Sequence, residues 1–190
     1  MKYKLVIIGG SAGSFQLVTK ILNKLPAGFN IPVVLALHRL KHVRHGFVEA
    51  LSIKSVLPVI EPVDKEALKP GKVYLAPANY HLYIELAGKF ALSTEEPVNH
   101  SRPAIDLTFS TGAYCYKDKT IGIILSGANK DGTVGLKKVK DYGGLTIVQD
   151  PQEAQITTMP LAALEKTDNQ VDHIMKVDEI IRFLHSLMKT

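Results

Sequence analysis

Short, uninterrupted apolar runs alternate along this chain with segments whose apolar residues recur at helical spacing. Leu5-Val6-Ile7-Ile8 stops at Gly9-Gly10, the pattern of a strand buried on both faces. Phe15, Val18, Leu22 and Leu25 then mark one helix face, and Pro26-Ala27-Gly28 ends the segment. Val33-Val34-Leu35-Ala36-Leu37 predicts a second buried strand, followed by a polar loop and a helix over 43–53. Strand, helix, strand and helix in that order imply a parallel sheet with crossover connections.

The middle of the chain changes period. A turn signal at Lys69-Pro70-Gly71-Lys72 precedes a short strand over 73–76. Leu82, Ile84 and Leu86 alternate with His81, Tyr83 and Glu85, and Ala87-Gly88-Lys89 leads to Phe90 and Leu92. That pattern predicts a β-hairpin with one wet face at the sheet's edge. Helices over 104–116 and 133–141 and strands over 120–125 and 145–148 restore the α/β alternation. Val177, Ile180, Ile181, Leu184, Leu187 and Met188 form the stripe of a terminal helix. The expected architecture is an open, mostly parallel, doubly wound sheet with helices on both faces and an antiparallel hairpin at one edge. A single domain over residues 1–190 is expected.

Composition narrows the class. Of 190 residues, 46% are hydrophobic and 22% charged, ordinary globular values that exclude disorder and collagen-like repeats. No apolar run is long enough to cross a bilayer, and 1–4 leads into too short a run for a signal peptide. The single cysteine, Cys115, can form no internal disulfide; it fits core packing and a reducing, cytoplasmic setting. The net charge of +5 is unevenly spread: seven of the 23 basic residues fall in 1–48, and all 18 acidic residues lie beyond them. A basic N-terminal third attracts an acidic partner or is simply a solvated face. With four Arg, no Trp and no basic-aromatic interleaving, nucleic acid is not the expected partner.

Ligands of open parallel sheets bind beyond the carboxyl ends of the strands, so reactive side chains just past a strand are the candidates. Ser11 lies in Gly9-Gly10-Ser11-Ala12-Gly13, which satisfies G-x-S-x-G between a strand and a helix. A nucleophile there meets oriented backbone N–H groups, that of Ala12 among them. The competing reading is a glycine loop that binds a phosphorylated ligand. The dinucleotide version is disfavoured, because G-x-G-x-x-G is not met and no acid occurs before Glu49. His38 follows the second strand directly and is the candidate base. His42, His45 and Glu49 are spaced as a conceivable metal set, but Arg39, Lys41 and Arg44 among them would repel a divalent ion, so no metal is expected. Asp131, after the strand over 120–125, is a candidate to orient the imidazole or a helix N-cap. Asp106 and Asp150 are rivals that spacing does not eliminate.

These segments resemble one family over nearly the whole chain, the CheB chemotaxis protein-glutamate methylesterase catalytic domain. Ile8-Gly9-Gly10-Ser11-Ala12-Gly13 is similar to its I-G-A-S-T-G motif, and His38 stands where its base follows the second strand. Pro97-Val98-Asn99-His100-Ser101-Arg102-Pro103 with Asp106 resembles P-V-N-x-x-R-P-x-x-D. The segment 125–132 resembles the L-T-G-M-G-x-D-G loop that carries the acid, which selects Asp131 over its rivals. Leu75-Ala76-Pro77 with His81 resembles I-A-P-x-x-x-H, and Met159-Pro160 its M-P. The resemblance implies hydrolysis of methyl esters on chemoreceptor glutamates, with release of methanol, and deamidation of receptor glutamines. It implies a Ser11–His38–Asp131 triad, backbone oxyanion donors at Ala12 and Ala128, and no cofactor.

Arg39, Lys41, Arg44, Asn99 and Arg102 are the expected substrate contacts. The expected partners are a methylated chemoreceptor or related acidic signalling helix and, because 190 residues leave no room for a receiver domain, a separate receiver-domain protein. Two alternatives stand beside this reading: a phosphoryl-ligand module and a non-catalytic signalling adaptor built on the same loop. The chain departs from the family pattern at Ala12 and Ser14, at Leu37 and Arg39-Leu40-Lys41 around the histidine, and at Ala128-Asn129 where M-G is usual.

Overall fold

The computed structural model describes residues 2–38 and 46–189. Its centre is a seven-stranded parallel sheet. The strands are β1 (Leu5–Gly10), β2 (Val33–Leu37), β3 (Val59–Ile60), β4 (Val73–Leu75), β7 (Thr120–Ile124), β8 (Leu145–Gln149) and β9 (His173–Met175), in the order β3-β4-β2-β1-β7-β8-β9. Every residue of β1, β2 and β7 is buried, as expected of central strands covered on both faces.

Alternate residues of β1 feed two cores. Val6 and Ile8 pack with Val18, Ile21 and Leu22 of α1 (Phe15–Lys24), Leu51 of α2 (Phe47–Lys54), and Ile180 and Leu184 of α6 (Val177–Ser186). Leu5 and Ile7 face Phe109 and Ala113 of α3 (Ile105–Tyr116), Leu136 and Val139 of α4 (Thr133–Asp141), and Met159 and Ala163 of α5 (Thr158–Lys166). Each such fully buried aliphatic side chain contributes roughly 1.5–3 kcal/mol relative to exposure, so both faces of the sheet are held by helices. Pro160 sits in the first turn of α5, where a missing N–H costs nothing.

The predicted hairpin is present as β5 (His81–Ile84) and β6 (Phe90–Ser93), paired in a separate two-stranded antiparallel sheet. It pairs with no strand of the large sheet among the described residues. Leu82, Ile84 and Phe90 bury its inner face with α3. His81, expected on the wet face, is fully buried: its Nε2–H donates to Glu96 O (3.0 Å) and its Nδ1 accepts the Ala104 N–H (3.2 Å) at the start of α3. The helix predicted over 43–53 begins at Phe47; residues 43–45 lie outside the described ones.

The topology locates a crevice. From β1 the chain passes through α1 to β2 on one side, whereas from β7 it passes through α4 to β8 on the other. β1 and β7 are neighbours, so their following loops diverge from a common point, where open α/β sheets bind ligands. The loop after β1 begins with Ser11, and the loop after β7 contains Asp131.

Candidate active site

Strand register brings the first two side chains together. Gly10 pairs with Leu37, and the His38 N–H donates to Gly10 O at 3.1 Å, so Ser11 and His38 are the first residues beyond adjacent strand ends. Neighbouring strands lie about 4.8 Å apart. On the other side, the Ser11 N–H donates to Ser126 O at 3.0 Å.

The loop holding Ser11 is tied at several points. Ser11 O accepts both the Ser14 N–H (3.0 Å) and the Ser14 hydroxyl (2.6 Å), closing a tight turn before α1. Gly13 completes that turn at φ 83°, where a Cβ would also stand 2.7 Å from Ser126 Oγ. Ser126 Oγ donates to Ala12 O (3.0 Å) and accepts the Ile156 N–H (3.0 Å), joining this loop to the segment before α5. The Ser11 side chain is half-buried and makes no hydrogen bond to another described residue. The same holds for the Ala12 and Ala128 N–H groups, both on exposed residues at the mouth of the crevice.

His38 is held through its far nitrogen. Its Nε2 lies 2.7 Å from Asp131 Oδ2, with the imidazole side chain 13% exposed and the carboxylate fully buried. Asp131 Oδ2 also accepts the Ile105 N–H (2.7 Å), while Oδ1 accepts Asn99 Nδ2 (3.1 Å), Asp106 N–H (3.1 Å) and Gly132 N–H (3.0 Å). Ile105 and Asp106 open α3, so the positive end of that helix is aimed at the carboxylate. Burial alone would push the Asp131 carboxyl up, but the hydrogen bonds from His38, Ile105, Asp106 and Asn99 outweigh it and hold the group below the ordinary carboxylate range. An ionised carboxylate is purely an acceptor, so His38 Nε2 carries the proton and Nδ1 carries the lone pair.

The rival carboxylates are engaged elsewhere. Asp106 Oδ1 accepts the Gly135 N–H of α4 (2.7 Å), and its Oδ2 shares the Asn99 amide (3.0 Å) with Asp131. Burial first, and the neighbouring Asp131 charge as well, push the Asp106 carboxyl above its ordinary value. Asp150 caps a turn through the Gln152 N–H (2.9 Å). Asn99, expected among the substrate contacts, therefore bridges two buried carboxylates. Arg102 Nη1 donates to Thr94 O (2.6 Å) and Glu95 O (2.9 Å), tethering the segment that follows β6. The guanidinium also lines a cavity of about 360 Å³ beside Asn79 and Tyr80. Arg39, Lys41 and Arg44 lie outside the described residues, as do His42 and His45. Among the described residues no cluster of three His, Cys, Asp or Glu side chains is placed to hold a metal.

Residues 6–184 match the model of the CheB methylesterase family. This chain belongs to the CheB methylesterase family. A Leptospira interrogans relative, provisionally named a protein-glutamate methylesterase/protein-glutamine glutaminase, is 43% identical over 180 residues, covering 95% of this chain and 92% of that protein. The Thermotoga maritima protein-glutamate methylesterase/protein-glutamine glutaminase is 37% identical over 184 residues, covering 93% of this chain and 52% of the relative. The crystal structure of the Thermotoga maritima CheB methylesterase catalytic domain superposes with a TM-score of 0.91 at 36% identity, covering 97% of this chain and 98% of that one. The parallel sheet, its helices and the small hairpin are thus the CheB catalytic fold.

Two residues of this CheB-type site escaped the sequence reading. Gln149 is buried and its Oε1 accepts the Ser126 N–H (2.9 Å), fixing the loop beside Ser11. Its position at the end of β8, a polar residue closing an apolar run, was the available signal. Asn129 contacts His38 directly: its Nδ2 lies 3.3 Å from His38 Nδ1. Only its departure from the family pattern marked it.

Proposed function

We propose that this chain is a protein-glutamate methylesterase in which Ser11 is the nucleophile, His38 the general base and Asp131 the orienting acid. The observation that carries this reading is the 2.7 Å His38–Asp131 bond. It orients the imidazole with its lone pair on Nδ1, one strand away from a serine hydroxyl that makes no hydrogen bond among the described residues.

In the reaction, Ser11 Oγ attacks the ester carbonyl carbon and His38 Nδ1 takes the hydroxyl proton. Asp131 stabilises the resulting imidazolium through Nε2–H. The carbonyl oxygen, now carrying the negative charge, is met by the Ala12 and Ala128 N–H groups, of the kind whose removal elsewhere costs roughly 10²–10³ in rate. The tetrahedral intermediate collapses, the C–O bond to methoxide breaks, and the imidazolium proton leaves on methanol. Water then attacks the acyl-serine carbonyl and gives a proton to His38, which passes it to Ser11 Oγ as the acyl C–O bond breaks, releasing the glutamate carboxylate and restoring the Ser11 hydroxyl. A glutamine side chain would follow the same course with ammonia leaving.

The substrate of this reading is the acidic, glutamate-bearing helix of a chemoreceptor, which suits a chain whose first 48 residues carry no acid. Control by a receiver-domain protein belongs to the same reading, and turnover should respond to that protein's phosphorylation. The test is methanol release from a methyl-esterified receptor fragment. Wild type should release it and Ser11→Ala should not. Equal release by both proteins would overturn the assignment of Ser11.

A further inference from the structure

We infer that Asn129 is a positioning residue that occupies the lone pair of His38 Nδ1 in the free protein and so sets how readily Ser11 obtains its base. The inference rests on the reading of Ser11 and His38 given above and concerns a contact that reading does not use.

The orientation of the amide follows from its other end. Asn129 Oδ1 accepts the Asp131 N–H at 3.1 Å, so the Nδ2 edge is the one that faces His38. The imidazole is oriented just as firmly, because Nε2 donates to Asp131 and Nδ1 is left to accept. Asn129 Nδ2–H therefore donates to Nδ1 across 3.3 Å. A ring nitrogen offers one in-plane lone pair. The Ser11 hydroxyl, which makes no hydrogen bond to His38 here, must displace the Asn129 donor before its proton can be taken.

Two consequences follow from the same contact. Removing the donor frees Nδ1, so reaction of Ser11 speeds up. It also removes an N–H aimed at the nitrogen that gains a proton in acid, so the inactive, protonated site forms at higher pH. The charged groups facing His38 among the described residues are Asp131, in contact, and Asp106 behind it across the Asn99 amide; neither is altered. A purely structural role for Asn129 predicts the opposite pairing: slower reaction and an unmoved acid limb.

Asn129→Ser separates the roles, since a serine hydroxyl can still accept the Asp131 N–H but is too short to reach His38. Asn129→Gly, the residue of the family pattern at this place, removes both contacts. The readout is the second-order rate of labelling by a fluorophosphonate as a function of pH, with the modified residue located by mass spectrometry. Both variants should label Ser11 about two- to tenfold faster on the alkaline plateau, the worth of one net hydrogen bond. Their acid limbs should lie at higher pH than that of wild type. Variant profiles that coincide with wild type, or that fall in rate with the limb unmoved, overturn the inference. A wild-type protein that takes no label at Ser11 overturns the serine reading and this inference with it.

Discussion

Asp131→Asn changes one atom and reverses a hydrogen-bonding role. The carboxylate accepts from five donors, two on Oδ2 (His38 Nε2 and Ile105 N) and three on Oδ1 (Asn99 Nδ2, Asp106 N and Gly132 N). An asparagine must turn its NH₂ toward one of these groups. Facing the three-donor side sets a donor against three donors, so the amide oxygen goes there and the NH₂ faces Ile105 and His38. The Ile105 N–H then loses its acceptor in a buried setting, which costs about 1–3 kcal/mol. For a chain of this size that is roughly 2–4 °C in Tm per kcal/mol. The larger effect is on the imidazole. To accept from the new NH₂, His38 must move its proton from Nε2 to Nδ1, and the Nδ1 lone pair that would take the Ser11 proton is gone. In another Ser-His-Asp enzyme the corresponding wrong tautomer costs roughly 10⁴ in turnover. Methanol release should therefore fall by about that factor while thermal unfolding shows a protein that is still cooperatively folded. Turnover within about tenfold of wild type would refute the tautomer argument.

Other perturbations test other parts of the account. Ser11→Ala should leave unfolding within about 0.5 kcal/mol of wild type, because the Ser11 hydroxyl makes no hydrogen bond among the described residues, while turnover is lost; chemical denaturation checks it. Because the Asp131 carboxyl is held low, its stabilisation is complete above the ordinary carboxylate range. It is withdrawn as pH falls below about 4 through the depressed folded value. Urea unfolding of wild type should accordingly weaken below about pH 4 more steeply than that of Asp131→Asn. Gly132→Ala places a Cβ 2.7 Å from Ile105 Cγ2 at a backbone φ of 93°, so it should destabilise by at least about 1–3 kcal/mol and slow turnover by displacing Asp131. Unchanged melting of that variant would contradict the close packing of α3 against this loop.

Much of the scaffold was legible in the sequence because buried parallel strands announce themselves. The runs at 5–8 and 33–37 are too short and too β-branched for anything but buried strands, and the glycine loop after the first predicted where a helix would start. The short outer strands β3 and β9 were not legible: two or three residues carry no period, and neighbours in space decide their pairing. His81 was misread as solvated because alternation alone ignores the loop that folds over it. The Asn99 amide nitrogen donates to both Asp106 and Asp131, a relation that spans 32 residues of sequence to Asp131 and depends on α3 abutting the β7 loop, so no local pattern announces it. Asn129 needed coordinates for the same reason, since its chemistry lies in which edge of the amide faces His38.

A nucleophilic Ser11 should carry the mark of a serine-directed covalent probe. Fluorophosphonate-treated protein, digested with trypsin, yields the peptide 5–20, which contains Ser11, Ser14 and Thr19. Fragmentation of that peptide should place the phosphonyl group on Ser11 alone, with labelling abolished in His38→Ala. A label on Ser14 or elsewhere in the chain, or methanol release that persists with Ser11 fully modified, would contradict it.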